Sequence, residues 1–532
     1  MGFFSRHRDT VAIFARAIVA AAAALPLLCM DPAAWRLAEN TLLFVFLVCA
    51  ACIPLGTLLA VLLFRCNVPG RRLALWLLVM QLFIPLHVQA AAWNAGFGVS
   101  GWFTSSLPST ERWVLLELWR GAVWVQSMAL LPWVTLIVGA GLNLVEPELE
   151  EEALQTAGPM RVVGLVTLPR AAPAIGVATL WAAMTAAGEM TVTDLYRIRT
   201  FAEELYLALA GWAEPGEAAL AVAPLLTLVV WLLLLVVPVI SRMAPAVGPI
   251  RFRRAVRFNL GRSRWPWAAL VGGLLFVTLA VPVGNLIYQA GMQVTMTAQG
   301  PQRWWSSAKV WQILASSPGR YAEEFRWSGQ IAACGACLAT AVAAVLAAWS
   351  RTSVIGRGWT LYSAALAAAV PGPLLAMGLI ALVNHPEVPL LVFVYDRTII
   401  PAVLAVTVKS LPVAALVLWM ALRRVPRELL DAAALDGAGW HGRFWHVLLP
   451  EARLALVAAW LLSFAVGVGE LGATVLLLPP GVETLSRQIL GLVHSGVEDF
   501  VAGICLTVLA LIATLTLVGG WLVSRTVAAN HT

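Results

Sequence analysis

Two glutamates stand in apolar surroundings at matching places, Gly188-Glu189-Met190 and Gly469-Glu470-Leu471, and 470 − 189 puts them 281 residues apart. A carboxylate held in hydrocarbon costs about 2.5–3.5 kcal/mol on insertion scales, so each must face protein, water or a partner. Two readings follow. The pair could line a central pathway and attract a cation, or each could be a helix-end carboxylate near the outer interface, hydrogen-bonded to a neighbouring helix. Other chemistry finds less support. Cys334-Gly-Ala-Cys337 has redox spacing, but it sits in an apolar run where cysteine serves as a small hydrophobe. His87 lies in another such run, His385 and His494 in external loops, and His441 and His446 in one polar segment; none forms a ligand set, and no metal centre is expected. No Gly-rich phosphate loop ending in Gly-Lys-Ser or Gly-Lys-Thr occurs, so nothing here would cradle ATP, and no nucleophile constellation marks an enzyme.

The elements that must carry these glutamates are membrane helices. Of 532 residues 61% are hydrophobic and only 12% charged, with a mean hydropathy of +0.84, too little charge to clothe a soluble surface. The expected fold is an all-α integral membrane protein of about 12 spans. They are placed near 11–30, 41–64, 73–93, 114–140, 171–191 and 217–240, then 266–290, 328–349, 359–383, 398–422, 452–478 and 500–523, since about 20 apolar residues cross a bilayer as helix. The run 11–30 lacks a clear small-residue cleavage site and reads as a span. The net charge of +7 is almost all arginine, the lysines being Lys309 and Lys409. Its densest cluster, Arg242 to Arg264, reads as a cytoplasmic linker under the positive-inside rule rather than as a nucleic-acid site, with both termini cytoplasmic. Trp304, Trp305 and Trp311 suggest that the loop 291–327 lies at the interface. Lys409, in the tenth span, is expected to snorkel or pair with a helix of the other half. Pro132 and Pro412 are expected to kink the spans leading to the two polar loops described next.

The chain repeats itself. Val166-Thr-Leu-Pro169 answers Val447-Leu-Leu-Pro450, so residues 1–241 and 266–532 read as two halves of six spans each, joined by a linker at 242–265. An even count points both halves the same way, as parallel bundles about a central pseudo-twofold axis. Two loops carry the functional signal. Within 425–451 stand Asp431-Ala432-Ala433, then Gly437 and a closing Leu449-Pro450; within 146–170 stand Glu151-Glu152-Ala153-Leu154, then Gly158 and Leu168-Pro169. Proline can open a short helix, alanines leave a small-sided face, and Gly437 permits a turn at positive φ, giving a helix–turn–helix elbow.

This pattern resembles the EAA loop of ABC importer permeases, the MetI-like inner-membrane components of binding-protein-dependent transport. Asp431 stands where glutamate is usual, and the first loop is degenerate, its Gly-to-Pro interval two residues short of the pattern. The resemblance implies that segments 151–165 and 431–446 are coupling helices docking two copies of a separate ATPase. The carried-over residues are Glu151, Glu152, Ala153, Gly158 and Pro169 in one loop and Asp431, Ala432, Ala433, Gly437 and Pro450 in the other. ATP would then be bound by the partner, with no cofactor in this chain. A bacterial inner-membrane location and an extracytoplasmic substrate-binding protein are also implied. The segment Gly469-Glu470 through Arg487 is similar to ferric-iron permeases, and the fused two-half format is shared with thiamine permeases, so the resemblance implies iron first, thiamine second, and polyamine or phosphonate-like cargo behind. The main rival is an ion-coupled secondary transporter, which gives no reason for duplicated Ala-Gly elbows.

Overall fold

The computed structural model describes residues 32–99, 101–106, 114–210, 256–297, 300–496 and 498–529. The expected spans 11–30 and 217–240 and linker positions 242–255 lie outside the described residues. Apolar runs in lipid can satisfy their backbone only internally, and the described chain is accordingly almost wholly helical. Six helices are long and apolar enough to cross a membrane among the described residues, or up to nine if each sharply bent pair counts as one span.

In the first half, α1 (Pro32–Ala60, continued by a π turn through Arg65) and α2 (Arg71–Leu82) lead to α3 (Leu86–Phe97) and α4 (Leu118–Leu142). The short α5 (Pro147–Thr156) precedes α6 (Leu168–Ala187), α7 (Thr191–Leu195) and α8 (Phe201–Ala210). Helices α1, α4 and α6 share one apolar core through Val48, Val134, Val138 and Ala178. The second half opens with α9 (Arg264–Leu275, running on through Gly291), a hairpin of β1 (Met292–Thr297) and β2 (Gly300–Trp305), and α10 (Ser307–Arg320). Then come α11 (Ala322–Thr352), α12 (Val354–Ala369), α13 (Gly372–Val383), α14 (Ile400–Leu422), α15 (Arg427–Leu435), α16 (Arg453–Gly469), α17 (Leu485–His494) and α18 (Glu498–Ala529). Its core is built from alanine: Ala343, Ala344, Ala347 and Ala348 of α11 meet Ala414 and Ala415 of α14 and Ala459 of α16. Small side chains let these backbones approach closely where lipid supplies no hydrophobic drive.

Several expected spans differ in detail. The stretches 73–93 and 359–383 are each broken, by bends of 103° and 105°. Pro85 and Pro371 stand at the breaks in extended conformation (ψ 147° and 148°), lacking an N–H to continue the preceding helix. The stretch 452–478 stops at Gly469 and is entered through a 77° bend. Pro132 and Pro412 instead lie inside helices that continue past them, so the sharp bends fall at a different proline pair. The division into halves is also not a division in space. Helix α9 packs on α2 and α3 of the first half: Gln81 donates to the Thr278 hydroxyl at 3.0 Å, and Asn285 donates to the Ala92 carbonyl at 3.2 Å.

Candidate functional site

The two polar loops fold as paired elbows. Helix α5 gives way to two extended residues, Ala157 and Gly158, before Pro159–Val162 and a π turn, Val163–Thr167, feed α6. Helix α15 ends at Asp436, and Gly437 reverses the chain at φ +82° before Trp440–Arg443 and a second π turn, Phe444–Leu448. Only glycine enters that region without steric cost. Gly158 is not its counterpart. At φ −69° it is the residue entering Pro159–Val162, as Gly439 at φ −66° enters Trp440–Arg443. Matched so, Gly158 to Pro169 and Gly439 to Pro450 both span eleven residues, and the apparent shortening of the first loop disappears. What the first elbow lacks is the left-handed turn.

Both elbows present their upper surfaces to the outside. Glu151, Glu152, Gly158, Pro169, Asp431, Ala432, Gly437 and Pro450 are exposed, and Ala153 and Ala433 are half-buried. Leu435 is 90% exposed, Leu165 75% and Met160 67%, apolar tips left largely uncovered by the described residues.

Between the halves run two adjoining cavities. The larger, about 600 Å³, has almost wholly apolar walls from α2, α4, α6, α12, α14 and α16, and reaches the elbow side at Arg170 and Arg424. The smaller, about 190 Å³, has walls of mixed polar and apolar character and holds both glutamates. Trp133 and Trp181, with ring centroids 5.3 Å apart, line both. The halves meet here across the pseudo-axis in matched fashion: a Cβ at Gly188 would lie 3.6 Å from Pro371, and one at Gly469 3.7 Å from Pro85.

Glu189 and Glu470 sit just past the ends of their spans, not within them. Glu189 Oε1 accepts from the backbone N–H groups of Thr191 at 2.6 Å and Val192 at 3.3 Å; Glu470 Oε1 accepts from Ala473 N–H at 2.9 Å. The Thr193 and Thr474 hydroxyls donate back to the carbonyls of Glu189 and Glu470 at 3.1 and 2.7 Å. Each carboxylate therefore fixes the turn after its own span, rather than bonding a neighbouring helix, while also lining the shared chamber. Lys409 lines it too, donating to the Val370 carbonyl at 3.1 Å, a partner in its own half rather than the other. Gln126, 1% exposed, reaches the chamber with neither end of its amide hydrogen-bonded among the described residues.

Three features escaped the sequence reading. Glu150, inside an acidic run that looks solvated, is fully buried and ion-paired with Arg65. Asp194 and His494 join the two halves at 3.3 Å. Nearby, burial pushes the Glu203 carboxyl up to about 7, helped by the Asp194 and Glu204 charges, against a hydrogen bond from the Thr200 N–H and the Arg199 charge. A charged residue ending an apolar run, as Arg65 does, is the one signal that could have pointed to the first. Among the other residues weighed, Cys334 and Cys337 are exposed on α11, and His446 Nδ1 lies 3.1 Å from the Gly442 carbonyl in the second elbow.

Residues 340–527 match the family described as the binding-protein-dependent transport system inner membrane component. The putrescine transport system permease protein PotI of Escherichia coli (strain K12) is 25% identical over 275 residues, which cover 50% of this chain and 94% of that protein. A putative 2-aminoethylphosphonate transport system permease protein, PhnV of Salmonella paratyphi A, is 36% identical over 96 residues, 18% of this chain. The chain spans 36% of the length of that relative. The molybdenum transport system permease protein ModB of Escherichia coli (strain K12) is 31% identical over 125 residues, 23% of this chain and 55% of that protein.

Proposed function

We infer, for a chain whose residues 340–527 belong to the inner-membrane components of binding-protein-dependent transport systems, that both halves together form the translocation pathway of an ABC importer. The observation that carries this reading is the pair of exposed elbows on one side of two bundles, with a cavity between the bundles that opens on that same side. In this reading two copies of a separate ATPase seat on α5 and α15 from the cytoplasm, and an extracytoplasmic binding protein delivers cargo to the opposite mouth. Elbows of different shape suit two docking events, one beneath each half.

The cargo we propose is a small cation. Two carboxylates and one lysine line the chamber, an excess of acidic groups that suits cations better than oxyanions. Among named relatives, the putrescine permease fits that charge and is matched over nearly its full length; the molybdenum permease, whose name is its only guide to cargo, is matched over about half. Ferric iron, first on the resemblance of the Glu470 segment, is also a cation, but none of the relatives described above is named for it.

The test is reconstitution with the candidate ATPase and binding protein. Substrate-stimulated ATP hydrolysis, abolished by Gly437→Pro, is the expected result. Uptake driven by an ion gradient with no ATPase present would overturn the reading.

A further inference from the structure

The two elbows are fastened to the bundle by different chemistry, and the first shares an apolar cluster with α9 of the opposite half. Fully buried Glu150 forms its ion pair with fully buried Arg65 and accepts a hydrogen bond from the Thr167 hydroxyl at 2.7 Å. In the second elbow Leu430 and Leu448 occupy the places of Glu150 and Thr167 (430 − 150 = 280; 448 − 167 = 281) and pack in one apolar cluster. Arg351, matching Arg65 at the end of its helix, donates instead to the Val425 carbonyl at 2.9 Å.

Arg65 has a second set of ties, through its backbone. The Phe258 N–H donates to the Arg65 carbonyl at 2.7 Å, and Asn67 N–H donates to the Phe258 carbonyl at 3.3 Å. The Phe258 side chain lies in an apolar cluster with Val162 and Val163 of the first elbow and Val271 and Leu275 of α9. The cluster beneath the second elbow draws, among the described residues, on the second half alone.

A buried ion pair is a poor source of stability, because well-packed apolar residues often do as well. Leu430 and Leu448 show that this fold accepts that substitution. What the pair supplies is fixed geometry. We propose that Arg65 is a positioning residue that locks the first elbow and, through Phe258, the first span of the second half into one unit. Force on α5 then moves parts of both halves. The inference rests on the permease reading above.

Two measurements test it. The variant Arg65→Met/Glu150→Leu/Thr167→Leu transplants the second elbow's apolar solution. In nanodiscs with the ATPase and binding protein it should assemble and hydrolyse ATP, while cargo moved per ATP falls about three- to tenfold. An unchanged ratio overturns the proposal. The second measurement needs no variant: hydrogen exchange on the wild-type chain, with and without the ATPase. Binding should slow exchange in 147–162 and 256–275 together; protection of 147–162 alone overturns the proposal. Absence of protection at both elbows counts against the permease reading itself and is distinguishable on that ground.

Discussion

Glu189 and Glu470 each divide their roles, one oxygen accepting from backbone N–H while the residue lines the chamber. That division makes glutamine an informative replacement, since its amide oxygen keeps the cap while the charge goes. Glu189→Gln/Glu470→Gln should assemble normally and lower uptake of a cationic cargo by about tenfold or more, read as initial rates in proteoliposomes. Uptake at the wild-type rate would remove the pair from the pathway. Glu203 offers a separate check through pH. Its carboxyl is raised from 4.5 to about 7 by burial, so between those values the folded state holds a proton that the unfolded state has lost. Stability therefore falls as pH rises through that window, and the penalty is complete above it. Glu203→Gln should raise the melting temperature at pH 8 and bring no gain at pH 4, by thermal unfolding in detergent. The repeat made the paired glutamates legible in the sequence, but not their caps. A cap depends on the helix stopping at Ala187 and Gly469, and continuous apolar sequence hides where a helix stops.

At the level of elements, two glycines that look alike in sequence are held in different conformations. Gly437 needs φ +82°, whereas Gly158 sits at an ordinary φ with open space around its Cα. Gly437→Ala should cost about 1 kcal/mol or more at the turn and misdirect Trp440–Arg443. Gly158→Ala should leave the first elbow in place. Capture of the purified ATPase on immobilised permease separates them: the first variant should bind several-fold more weakly, the second like wild type. Equal binding by both would mean that the left-handed turn is not what shapes the docking surface. The prolines teach a related lesson. Pro132 and Pro412 are buried among packed helices that can shelter the carbonyls they leave free, so their helices run on. Pro85 and Pro371 stand where the two halves meet, and there the chain turns. All four of these prolines stand in apolar runs; tertiary packing decides which of them bend the chain.

Over the whole molecule, the crossing of α9 onto α2 and α3 means that neither bundle can tilt without the other responding. The halves touch at Gly188 with Pro371 and at Gly469 with Pro85, beside the chamber, and part toward the elbows to leave the larger cavity. In the function proposed above, drawing the elbows together is the movement that would close this cavity. Ala368, half-buried on α12, borders both cavities and reports on that movement. In a chain otherwise depleted of cysteine, Ala368→Cys should react with a polar thiol reagent in the permease–ATPase complex without nucleotide. It should become protected when a hydrolysis-deficient ATPase is loaded with ATP. Equal labelling in both states would show that ATP binding leaves the cavity as wide as before, and the elbows could not then be the points through which the two bundles are driven.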